Sequence, residues 1–153
     1  MADRIGKSET IIRIKITIMK KLFSSASLNT DLAILILRLA FGGLFAYAGW
    51  YKIDHYSMML SMFGDPIGLG TKLSLNLVIF AEFGCGLLVV IGFLTRLAML
   101  PIFFSMNVII FVAVAKQSFL EKQFPILLYV LCIVVFILGS GKYSVDRAFF
   151  KNK

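Results

Sequence analysis

Residues 77–90 read LVIFAEFGCGLLVV, as apolar as the interior of a lipid bilayer except for one carboxylate, Glu82. The run sits inside a longer apolar stretch, about 73–94. That length matches the ~20 residues (range ~17–25) a helix needs to cross ~30 Å of hydrocarbon. Three further stretches, about 32–50, 97–115 and 124–140, have the same character.

Composition supports a lipid solvent: 59% of the 153 residues are hydrophobic, only 16% are charged, and mean hydropathy is +0.91. Soluble globular domains do not reach these values. The expected fold is all-α, a polytopic membrane protein built as a four-transmembrane-helix bundle. Residues 1–31 form a basic N-terminal segment, 32–141 the transmembrane domain and 142–153 a basic tail. Within the first segment the Ile-rich stretch Arg13–Ile18 fits an alternating strand or a basic amphipathic helix on anionic lipid equally well. Residues 11–19, IIRIKITIM, are broken by Arg13 and Lys15 and do not make the apolar core of a secretory signal.

Charge sets the expected topology. With four spans, Arg4, Lys7, Arg13, Lys15, Lys20, Lys21, Arg96, Lys142, Arg147, Lys151 and Lys153 fall on one side, against Lys52, Lys72, Lys116 and Lys122 on the other. The positive-inside rule then places both termini in the cytoplasm. The same distribution removes nucleic acid as a partner despite a net charge of +8, because no basic face remains once the apolar runs are given to lipid. Asn29, Thr30 and Asp31 suit a helix start, and Pro125 is expected in the first turn of the fourth span.

A charge at mid-span costs roughly 2.5–3.5 kcal/mol on insertion scales, so Arg38 and Glu82 are the candidate functional residues. Arg38, Gly42, Ala46 and Gly49 share one helical face, and Glu82, Cys85, Gly86 and Val89 share another. Small residues allow close helix approach, so spans one and two are expected to pack with Arg38 paired to Glu82 in a small polar pocket. Two readings of that pair stand together. A buried carboxyl can carry a proton or anchor a ligand; alternatively Arg38 reaches the surface and Glu82 only fixes helix register.

Other chemistry is poorly provided for. Cys85 and Cys132 both lie in apolar runs, so neither a disulfide framework nor a thiolate metal site is expected. His55 is the single histidine and belongs to the loop between spans one and two, which leaves no axial pair for haem and no copper-binding cluster. Met58, Met59 and Met62, in the same loop, match one helical face as well as a cuprous site. No metal is expected.

Three stretches, LRLAFGGLFAYAGWYKI, AEFGCGLLVVIGFLTRLAML and LGSGKYSVD, occur in an order and spacing that resembles the DoxX family of small four-helix membrane proteins, over residues 32–148. The resemblance implies a bacterial or archaeal cytoplasmic-membrane protein. The family is named for a small subunit associated with a terminal quinol oxidase or thiosulfate:quinone oxidoreductase. It further implies an accessory subunit of a quinone-linked redox complex, with no cofactor held by this chain alone, quinone as the candidate ligand, and membrane lipids, other subunits or further copies of the chain as partners. Catalysis in the chain itself is left open, as are a non-catalytic interaction role and a small-solute or proton pathway. The family pattern falls on Arg38, Gly42, Gly49, Lys52, Glu82, Gly86, Gly92, Arg96, Gly139, Gly141, Tyr143 and Asp146. Trp50 and Cys85 complete the candidate pocket and interface residues. Ala48 stands where many relatives carry His.

Overall fold

The computed structural model describes residues 29–150, and no β-strand occurs among them. The expectations for the Ile-rich N-terminal stretch lie outside those residues. Four helices are long and apolar enough to span a membrane: α1 (Thr30–Asp54), α3 (Thr71–Ile91), α4 (Thr95–Ala113) and α5 (Phe119–Leu138). The short helix α2 (Tyr56–Met62) follows α1, and α6 (Val145–Phe150) follows α5. The four-span architecture is therefore as the hydropathy pattern requires.

Helices α1 and α3 meet through their small residues. A Cβ on Gly42 would lie 2.9 Å from the Gly86 carbonyl oxygen, and one on Gly86 would lie 2.8 Å from the Ala46 nitrogen. One on Gly49 would lie 2.7 Å from the Phe83 Cβ. These contacts fix an antiparallel register, with Gly49 beside Phe83 and Gly42 beside Gly86 and Val90. Where lipid solvates apolar side chains as well as protein does, such close backbone approach is a main source of helix attraction.

The apolar core draws on all four spans: Phe41 and Phe45 from α1, Cys85 and Val89 from α3, Met99, Ile102 and Met106 from α4, and Cys132 and Val135 from α5. Both cysteines are free and buried there, as small hydrophobes.

Two helix ends differ from the hydropathy pattern. Helix α3 stops at Ile91 because Gly92 adopts φ 72° and closes a Schellman turn, with Gly92 N–H donating to Val89 and Phe93 N–H to Leu88 (3.2 and 3.0 Å). Helix α5 begins at Phe119, five residues before the apolar run, because Ser118 and Glu121 form a reciprocal capping box. Pro125 is consequently inside the helix and not in its first turn.

Both α3 and α4 contain a π-turn. In α3 it covers Phe80–Gly84, where the Cys85 N–H reaches back to the Phe80 carbonyl five residues earlier. Such insertions recur at functional sites because they rotate the following side chains off the regular helical stripe. Glu82 lies in the middle of this one.

Candidate functional site

The two charged residues are both buried, Arg38 at 2% and Glu82 at 4% exposure, but they do not pair with each other. Arg38 lies level with Gly92: a Cβ there would sit 2.6 Å from its Nη1. Glu82 is ten residues earlier on α3, or ~15 Å at 1.5 Å per residue. The expected single Arg38–Glu82 pocket is thus replaced by two polar centres. The expectation went astray because the α1–α3 register is set by Gly49 against Phe83, which brings the end of α1 to Glu82.

At that end, Lys52 Nζ donates to Glu82 Oε2 at 2.5 Å. The lysine side chain is 21% exposed and the carboxylate 6%, so the pair connects a sealed acid to a partly open edge. Glu82 also lines a cleft of about 200 Å³ with Phe45 and Ala48 of α1, Met106 of α4, and Pro125 and Leu128 of α5. Among the cleft's lining residues Glu82 is the one ionisable group. Trp50 of α1 is more than half exposed, with its ring 6.0 Å from that of Phe83, the residue after Glu82. Cys85, one turn on, points into the core rather than the cleft.

The other centre gathers the motif LGSGKYSVD. The Arg38 guanidinium donates through Nη1 to the Ser140 carbonyl and through Nη2 to the Tyr143 carbonyl, the latter at 2.5 Å. Tyr143 contributes its backbone; its ring is exposed. Asp146 supplies counter-charge to Arg38. Its carboxylate accepts from the Leu94 and Thr95 N–H groups at 2.7 and 3.3 Å, while its own N–H donates to the Gly92 carbonyl at 2.9 Å. Leu94 is the one non-glycine residue at positive φ (47°) among the described residues, and the Asp146 bond holds it there. Gly141, at φ 68°, packs against Ile34, and Lys142 pairs with Asp31 at 2.7 Å. Residues 139–146 therefore act as a latch across the ends of α1, α3 and α4. Arg96 lies beside Gly139 and, among the described residues, enters no hydrogen bond or ion pair.

Two features of these centres are missing from the sequence-based set. Lys52 was legible as a candidate residue but not as the partner of Glu82. Thr95, whose buried hydroxyl has no partner, carries no signal in a single sequence beyond a hydroxyl in an apolar run. No group of three or more His, Cys, Asp or Glu side chains capable of holding a metal occurs among the described residues.

A family model described as DoxX matches residues 33–115, which run from the start of α1 to just beyond α4. The chain is also 31% identical over 132 residues to the inner membrane protein YqjF of Escherichia coli strain K12, covering 80% of this chain and 95% of that protein. No solved structure matches it significantly. Four apolar spans, an Arg38-bearing first helix and these two likenesses lead to one assignment: the chain belongs to the DoxX family of integral membrane proteins.

Proposed function

We propose that the protein is an accessory subunit of a quinone-linked redox complex in the cell membrane, with the Lys52–Glu82 pair as its working site and both termini in the cytoplasm. The observation that carries this reading is a lone buried carboxylate at a π-turn, ion-paired to lysine and lining an otherwise apolar cleft. Apolar walls with a few convergent polar groups are the usual make-up of a small-molecule site. They suit a flat apolar ring that carries carbonyl oxygens.

A bound quinone would supply two-electron carriage. Lys52, which pairs with Glu82 from outside the cleft lining, would balance its charge, and Glu82 would hold or release one of the accompanying protons at its carboxylate. Electrons would come from another subunit, since the chain's own residues offer no carrier. Arg38 is committed to the Ser140 and Tyr143 carbonyls and takes no part.

A non-catalytic interaction role is the second reading. Only 11% of the most apolar window of α5 is buried, against 39% for α3, so α5 has a broad face for the helices of a partner. In this reading the Lys52–Glu82 pair only fixes register.

The deciding experiment is Glu82→Gln in the native membrane, at matched expression, with quinone-dependent turnover and co-purifying subunits both measured. Loss of turnover with subunits retained is the expected result. Full turnover in an intact assembly would overturn the redox site and leave the interaction role.

A further inference from the structure

A cleft of about 520 Å³ opens beside the latch, lined by Thr95 and Arg96 of α4 and by Gly139, Ser140 and Gly141. It shares Ser140, Gly141 and Asp146 with the latch, but the Arg96 guanidinium and the Thr95 hydroxyl take no part in the latch's bonds. Its polar groups are poised for an acceptor that the protein does not provide. Thr95 is 1% exposed and its Oγ1 has no hydrogen-bond partner. Arg96 is exposed, and its guanidinium has no partner among the described residues. The N–H groups of Ser140 and Gly141 enter no hydrogen bond there either. Asp146 also lines the cleft, but its oxygens already accept from Leu94 and Thr95 and its charge is offset by Arg38.

An exposed guanidinium without a partner, on a cleft whose lining also holds an unbonded hydroxyl and two unbonded backbone N–H groups, offers the donor types that bind phosphate oxygens. We propose that this cleft binds the phosphate of an anionic phospholipid headgroup, with Arg96 and Thr95 as its principal donors. The surroundings favour a lipid over free phosphate. Leu94, Leu97 and Leu138 rim the cleft and are 38%, 60% and 40% exposed, an apolar edge that an acyl chain covers and an inorganic ion does not. The cleft also lies where two membrane-length helices end, the depth at which headgroups sit. Gly139, with φ 69° and ψ −155°, holds a conformation reserved for glycine, and its missing side chain keeps the Arg96 guanidinium within 3.5–3.9 Å of where a Cβ would stand. Any other residue there would strain the loop, while its Cβ would meet Arg96 only at ordinary contact distance.

The test uses the full chain, purified and delipidated in detergent, with bound lipid counted by native mass spectrometry during titration with phosphatidylglycerol or phosphatidylcholine. Phosphatidylglycerol is expected to be retained preferentially. Arg96→Gln and Thr95→Val should each lower that retention, the former about tenfold or more, as expected for losing a charge-assisted hydrogen bond to phosphate. Arg147→Gln, which removes a neighbouring exposed charge outside the cleft, should leave it unchanged. Equal retention of the two lipids, an equal loss in Arg147→Gln, or displacement by inorganic phosphate at matched concentration would each overturn the proposal. If Thr95→Val fails to fold, Arg96→Gln decides alone, because that guanidinium enters no hydrogen bond or ion pair among the described residues.

Discussion

Lys52 and Glu82 meet at 2.5 Å across the α1–α3 interface, three residues beyond the point where Gly49 presses on Phe83. The glycine contact and the ion pair are one arrangement. Without the close approach at Gly49, the lysine would not reach a carboxylate that sits within the span. The register that separates Arg38 from Glu82 is the same register that supplies Glu82 with its cation.

Removing one partner of a buried pair leaves an uncompensated charge, whereas replacing both with apolar residues is close to neutral. Lys52→Met is therefore expected to destabilise the bundle by about 3 kcal/mol. The double variant Lys52→Met with Glu82→Leu should recover most of that loss. Unfolding titrations in mixed micelles check both values, and a double variant as unstable as the single one would contradict the pairing.

The two glycines of α1 at 43 and 49 should respond with opposite sign to alanine. Gly49→Ala places a methyl 2.7 Å from the Phe83 Cβ and is expected to cost about 2 kcal/mol by overpacking. Gly43 has nothing within 4 Å of its missing Cβ, so Gly43→Ala should be neutral or stabilising by up to ~1 kcal/mol through helix propensity. The same titrations measure the difference.

Asp65, in the loop that leads into α3, accepts from the N–H groups of Leu69 and Gly70 at 3.0 and 2.8 Å and from Ser74 Oγ at 3.0 Å. The Gly70 N–H, first among these, holds its carboxyl below the usual carboxylate range. A depressed folded-state pKa means the contribution is present above the ordinary value of about 3.9 and is lost as pH falls through the folded value. Amide protection at Leu69 and Gly70 should thus be constant from pH about 7 to 5 and fall toward pH about 2. Asp65→Asn should weaken it at neutral pH and flatten the fall toward acid. Hydrogen exchange resolved to these residues is the measurement.

Four spans, the small-residue faces and the burial of Arg38 and Glu82 were all legible because each is a local property of the chain: length, period and the cost of a charge in lipid. The partners of those charges were not. Pairing depends on helix register, and a shift of a few residues along α1 exchanges one neighbour for another. The small-residue faces suggested Arg38 beside Glu82; the Gly92 turn and the Gly49 contact put Arg38 beside the end of α3 instead. Ser140 and Tyr143 were illegible as partners for a further reason: they offer backbone carbonyls, which every residue has. Helix α5 shows a similar limit. Its cap at Ser118 lies outside the apolar run, so hydropathy alone starts it too late.

The latch also orders events during biogenesis. The two Nη groups of Arg38 donate to carbonyls 102 and 105 positions later in the chain, so the first helix is made before these acceptors exist. They follow only once every other span has been made. Closure at this end is therefore the last act of assembly, and quality-control proteases meeting a nascent chain stalled before residue 140 would find an open, charged seam where the finished protein is sealed.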